Sequence, residues 1–307
     1  MKIAYNMVSS KFSSFISKIC ISLIEHIRLM FGAVPVNAYI YYDCNGNVRH
    51  ENWGDDINYY FLHEIIKKPI VLFNRTSLAF RLKTKNYIVI GSTIDMLGNA
   101  SSEVWGAGII NGDNPLPARP KKVHAVRGPL TRQKLISEGV DCPEIYGDPA
   151  LLIPRHYLPQ IKKQYKYGFI SHVSNRPYIE KMTINGVPLC EVKDVLLIDM
   201  GNYTHWHDII DQICSCKAIL SSSLHGLIVA EAYNIPNVWL EFGKPLIGGH
   251  FKFHDFFLSI NRDRKEPIYI EGETLPIEHI TEELNSWKQG EINTQQLLDS
   301  CPFPLSI

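Results

Sequence analysis

No stretch of this 307-residue sequence stays apolar long enough to cross a membrane. The most hydrophobic region lies near the start, where Phe15, Ile16, Ile19, Ile21, Leu23, Ile24, Ile27, Met30 and Phe31 recur at roughly helical spacing. Lys18, Glu25 and Arg28 interrupt them, and only six residues separate Lys18 from Glu25, whereas a spanning helix needs about 20. The region also lacks the small-residue cleavage site of a secretory leader. What remains is an amphipathic helix within residues 10–31, which either packs on its own lobe or lies on a membrane surface.

Net charge is missing too. Lys plus Arg and Asp plus Glu each number 31, so no overall field selects for nucleic acid, and an anionic ligand must be held by a local cluster of donors. The seven cysteines are scattered and odd in number, with no zinc-knuckle spacing, and a chain of this size has no need of disulfide staples. Cys214 and Cys216 read as core or surface thiols, and a reducing cytoplasm is the expected compartment.

The sequence has no P-loop, no Gly-x-Gly-x-x-Gly turn, no His-Glu-x-x-His and no nucleophile elbow. Its secondary-structure pattern is nonetheless that of a nucleotide-binding fold. Short β-branched runs alternate with helical periods, which predicts parallel sheets covered by helices. Strands are expected near 36–42, 70–73, 87–91, 104–106 and 123–126, with a helix over about 55–66. A second series is expected as strands at 166–171, 195–199, 218–220 and 237–241, with helices at 206–216 and 224–234. Residues 155–164 read as a linker, giving lobes over 1–155 and 165–307. A last helix, about 278–288, is expected to pack back across them. Ligands of such a protein belong in the cleft outside the carboxyl ends of the strands.

Four segments offer chemistry there. Ser221, Ser222 and Ser223 precede a helix that opens with Leu224-His225-Gly226, so hydroxyls and free N–H groups gather at a helix start. That is an anion site with an imidazole able to deliver a proton, or an ordinary serine cap. Asn52-Trp53-Gly54-Asp55-Asp56 precedes the first long helix. Its polar groups either cap that helix or bind sugar hydroxyls, with a carboxylate as base and Gly54 admitting close backbone approach. Arg127 ends a strand and should point its guanidinium fork at the cleft mouth, whereas Arg132 reads as a surface or packing residue. In Phe251-Lys252-Phe253-His254-Asp255-Phe256-Phe257, alternation suggests either an edge strand or a clamp delivering Lys252 after the Gly248-Gly249 loop.

Taken in order, these segments resemble the polysaccharide pyruvyl transferase family. The matching stretches are Asn52 to Asp56, Val104-Trp105-Gly106-Ala107-Gly108, Arg127 to Arg132, Gly147 to Pro154, and Ser223 to Gly226 with Pro236 downstream. The resemblance runs from about residue 50 to 260. It implies two Rossmann-like lobes arranged as in GT-B glycosyltransferases, with phosphoenolpyruvate as donor. The implied acceptor is a hydroxyl pair on a sugar of a bacterial capsular or exopolysaccharide repeat, lipid-linked or not. Many members have Arg-Leu-His where this chain has Ser223-Leu224-His225, so the family histidine carries over to His225 and the arginine does not.

The expected assignment is therefore His225 and Asp55 as catalytic groups. Arg127, Ser221, Ser222, Ser223 and Lys252 would bind the donor, and Asn52, Gly54 and Asp56 the acceptor. No metal, further cofactor or nucleic acid is expected, and any membrane contact would be peripheral, at the inner face of the cytoplasmic membrane. A GT-B glycosyltransferase using a nucleotide sugar is the alternative enzyme, and a non-catalytic carbohydrate-binding subunit the alternative of another class.

Overall fold

The computed structural model describes residues 17–43, 47–243 and 246–306. After a helix over residues 17–30, the first lobe carries β1 (Val34–Val36), β2 (Ile70–Leu72), β3 (Asn86–Ile88), β4 (Ser102–Trp105) and β5 (Lys122–Ala125). The second carries β6 (Tyr165–Ile170), the small hairpin β7 (Thr183–Ile184) and β8 (Val187–Pro188), then β9 (Val195–Ile198), β10 (Cys216–Ser221), β11 (Asn237–Glu241) and β12 (Ile268–Tyr269). Among the described residues each lobe forms one five-stranded sheet, and every pairing within the two sheets is parallel.

The strand orders decide where ligands go. The first sheet runs β2-β1-β3-β4-β5 and the second β12-β11-β10-β6-β9. With the hairpin set aside, the second is the same winding as the first. In each sheet the order reverses once, between β1 and β3 and between β6 and β10, and a crevice opens at such a reversal beyond the carboxyl ends.

Both inner faces share a single apolar core. Trp53, Phe61, Trp105 and Leu151 of the first lobe join Trp206, Leu227, Trp239 and Phe253 of the second in one cluster. The helix Trp206–Cys214 shows why the sequence folds so: Trp206, Ile209, Ile210 and Ile213 make a buried helical stripe, and Asp208 closes a capping box with His205. The helix Leu224–Ala232 is buried on nearly every side, as a helix apolar all round must be, and it packs on Pro149–Leu152 of the first lobe.

Several expectations need correcting. The first strand runs only Val34–Val36: on one side its partner β2 ends at Leu72, where the turn Phe73–Arg75 begins, and on the other a last bond runs from Asn37 N to the Tyr87 carbonyl at 2.7 Å. The helix expected over 55–66 is two, Trp53–Asp56 and Tyr60–Ile65. Between them the Asn58 amide donates to the Asp55 carbonyl at 3.1 Å, a local bond that competes with helical pairing, and the same side chain bonds the Ile90 backbone through both its nitrogen and its oxygen, at 2.9 Å each. Residues 251–257 are no edge strand. Phe253, Phe256, Phe257 and Ile260 bury at helical spacing, and the helix runs Phe251–Ser259.

The helix expected to bridge the lobes runs Ile277–Ser286 and stays on the second, where Ile280 and Leu284 join that lobe's own core. It is the chain after it that returns. Trp105 Nε1 donates to the Leu297 carbonyl at 2.9 Å, and Phe303 stands edge-on to Tyr87 and Trp105. Of the amphipathic segment within 10–31, residues 17–30 are helical; residues 10–16 lie outside the described residues.

Phe303 is buried against both aromatics, so Phe303→Ala is expected to cost about 3 kcal/mol, as large aromatic truncations do. Urea denaturation of the full chain checks this.

Candidate functional site

The two crevices meet. A cavity of about 120 Å³ is lined from the first lobe by Tyr39, Asn52 and Asp55 after β1, and by Ser92, Thr93, Met96 and Ile110 beyond β3 and β4. From the second lobe come His172 after β6 and Ser223, Leu224 and His225 after β10, with Lys252 completing the wall. It is smaller than the ~300–1,000 Å³ clefts that enclose drug-sized ligands.

The Asn52-to-Asp56 and Ser223-to-Gly226 motifs fit against one another. A Cβ on Gly54 would stand 2.1 Å from His225 Nδ1, so the glycine leaves room for the imidazole. Asn52 caps the helix Trp53–Asp56 by accepting from Gly54 N at 3.3 Å, and its amide donates to Asp55 Oδ2 at 2.6 Å. This turns the Asp55 carboxylate toward the cavity. Trp53 Nε1 donates to the Trp206 carbonyl at 2.7 Å, anchoring the motif on the opposite lobe.

Burial dominates the electrostatics. It pushes the Asp55 carboxyl up to about 7, helped by Asp56 and opposed by Asn52 and Lys252. It lowers His225 to about 3, with Arg127, Lys252 and His172 adding repulsion. Lys252 falls to about 8 through burial and Arg127, partly offset by Asp55. At neutral pH His225 is thus a neutral ring, and its buried Nε2 lacks a hydrogen-bond partner, as does the buried Thr93 Oγ1 on the same cavity. Unpaired buried polar atoms are costly, and these two leave unused hydrogen-bonding capacity on residues of the cavity wall. Among the described residues no group of three or more His, Cys, Asp or Glu side chains is arranged to hold a metal. Burial raises Cys214 and Cys216 to about 11, leaving inert thiols.

The expected residues divide. His225, Asp55, Asn52, Ser223 and Lys252 line the cavity, and Gly54 backs His225. Ser221 Oγ bonds the Ser223 backbone, and Ser222 Oγ accepts from His172 N at 3.0 Å, so both shape the turn from inside. Asp56 is turned away: its Oδ2 accepts from Tyr203 OH at 2.6 Å across the lobes.

Arg127 does not point at the cleft mouth. Its guanidinium is fully buried, donating to Asp255 Oδ2 and the Ile109 carbonyl at 2.9 Å each and to the Ser92 hydroxyl. It lies over Gly108, where a Cβ would meet Cζ at 2.3 Å. Arg132 pairs with Glu144 at 3.2 Å at the surface. His172 went unread in the sequence. Its ring Nδ1 is 2.7 Å from Ser174 Oγ, and burial with Lys252 lowers it to about 4. Its place just past β6 was the available signal, since the cleft lies outside strand ends.

The Gly54–His225 fit is testable without any substrate. Gly54→Ala is expected to destabilise by about 1–3 kcal/mol through overpacking, and by less than half as much in a His225→Gly background. A double-mutant cycle in urea measures the coupling.

Residues 4–242 match the family described as Polysaccharide pyruvyl transferase. The match starts well before residue 50 and ends short of 260, leaving Lys252 and Asp255 outside it. The chain is 28% identical over 227 residues to the uncharacterized protein L143 of Acanthamoeba polyphaga mimivirus, covering 71% of this chain and 74% of that one. It is 26% identical over 241 residues to the succinoglycan biosynthesis protein ExoV of Rhizobium meliloti (strain 1021), covering 74% and 68%. With more than half its length matched, the chain belongs to the polysaccharide pyruvyl transferase family.

Proposed function

We propose that the protein transfers the pyruvyl group of phosphoenolpyruvate onto two hydroxyls of one sugar in a bacterial capsular or exopolysaccharide repeat unit. The products are a cyclic ketal and inorganic phosphate. The observation that carries this reading is a small cavity in which Lys252, His172 and His225 face a single carboxylate, Asp55. Its volume suits a compact anion better than a nucleotide sugar, which argues against the glycosyltransferase alternative. Two like-wound sheets meeting across a cleft support a GT-B arrangement.

In this mechanism Lys252, Ser223 and the free N–H groups opening the helix Leu224–Ala232 hold the phosphate and carboxylate. Their partner is a multiply charged anion, and its approach favours the imidazolium form of His225. His225 then gives its proton to the methylene carbon, and positive charge develops at the carbon bearing phosphate. One sugar hydroxyl adds to that carbon and passes its proton to Asp55, whose raised pKa suits a base working near neutrality. The second hydroxyl displaces phosphate, which leaves with that proton, and the ring closes. Asn52 and Tyr39, on the first-lobe side, orient the acceptor; holding both hydroxyls beside one carbon is the entropic share of catalysis. Arg127 acts from behind the wall through its field.

Incubation of an oligosaccharide repeat with phosphoenolpyruvate should release inorganic phosphate and add one ketal to the acceptor by mass. His225→Ala should slow this by about 10²–10⁴-fold, the usual worth of a general acid. A nucleotide released from a nucleotide sugar, with none of the phosphate, would refute the reading.

A further inference from the structure

The helix over residues 17–30 is mounted with its polar side inward. Its only acid among those residues, Glu25, is buried and pairs with Arg28 at 3.2 Å and with Arg75 at 3.8 Å. Ser22 is buried beside it. The apolar stripe consequently faces out: Leu23, Ile24 and Ile27 are each more than half exposed, Met30 is 76% exposed, and Phe31 just beyond is 87% exposed. A helix that merely packed on its lobe would bury this stripe.

Sheet topology places charge next to it. Strands β2, β1 and β3 are adjacent and parallel, so the residues just before each lie at one corner. Before β1 stands Phe31; before β2, Lys67 and Lys68; before β3, the exposed Leu82 with Lys83 and Lys85. Lys85 pairs with Glu103, while Lys67, Lys68 and Lys83 extend the exposed positive charge around the apolar stripe. The helix also reaches the other end of the lobe, since Arg75 follows the carboxyl end of β2. The end of the exposed stripe at Met30 and Phe31 therefore lies at the sheet corner that carries Lys67, Lys68 and Lys83.

We propose that this surface of the first lobe docks on an anionic lipid surface, the helix lying in the interface with its stripe among the acyl chains and the lysines at the headgroups. An exposed apolar stripe flanked by cations has the two attractions such binding needs, burial and charge. The proposal does not depend on the reaction assigned to the cleft.

Flotation of the full chain tests it, using phosphatidylcholine vesicles with and without phosphatidylglycerol. The protein should float with the anionic vesicles. Met30→Glu with Phe31→Glu, and separately Lys67→Glu with Lys68→Glu, should each lower binding at least tenfold, since one surface cation is worth about fivefold. Both pairs are exposed, so thermal melting should not move. Equal binding to neutral vesicles, or a variant that binds like the original, overturns the proposal. So does a sedimentation-measured dimer that the Met30→Glu, Phe31→Glu pair dissolves, because it assigns the stripe to a second copy.

Discussion

The arrangement of the cleft hangs on one buried ion pair. Arg127 follows β5 in the first lobe, and Asp255 sits on the helix Phe251–Ser259 between β11 and β12 of the second. Neither side chain touches solvent. Asp255 also accepts from Thr131 N at 2.8 Å and Thr131 Oγ1 at 2.7 Å, so its oxygens are well supplied with donors. A buried pair gains little net stability over an apolar replacement, yet removing one partner costs about 3–5 kcal/mol because the other is stranded. Its value here is positional. Lys252 lies three residues before Asp255, on the same helical face, so the pair that fixes Asp255 also sets the ammonium in the cavity wall.

The same pair decides the charge of the site. Asp255 neutralises Arg127 locally, but the guanidinium still opposes protonation of both His225 and Lys252. Burial is the larger effect on each. The outcome is a cavity in which His225 and His172 rest as neutral rings and Asp55 lies near its midpoint at neutral pH, while Lys252, at about 8, stays largely protonated. Under the proposed reaction such a site would take up an anion together with protons, the coupling that enol chemistry requires.

Much of the architecture was legible because it is local. Two βα series and several helix starts follow from periodicity and capping residues; the rule that ligands sit beyond strand ends pointed to Ser223 and His225, and the polar run before a helix pointed to Asn52 and Asp55. Three things were hidden. Arg127 reads as a strand-end cation, but only the fold reveals that Asp255 claims it. Lys252 was read toward the cleft, but the helix that carries it was hidden, because alternation with phenylalanines mimics a strand over a few residues although Phe253, Phe256 and Phe257 keep helical time. Gly54 and His225 are far apart in sequence, and nothing in either segment says that one is small because the other is there. The polar mounting of residues 17–30 likewise depends on Arg75, a residue of no visible importance in the sequence.

The central claim is that a small anion and protons enter this cleft together. Calorimetry of phosphoenolpyruvate binding at pH 8, in two buffers of different ionisation enthalpy, measures the protons exchanged. At that pH the phosphate is fully ionised, and His225, at about 3 in the empty site, carries no proton. Net proton uptake is the expected result, part of it from Lys252, which sits at about 8, and part from His225, so that His225→Ala lowers the uptake without abolishing it. Binding with no proton exchange, or with release, would contradict the account.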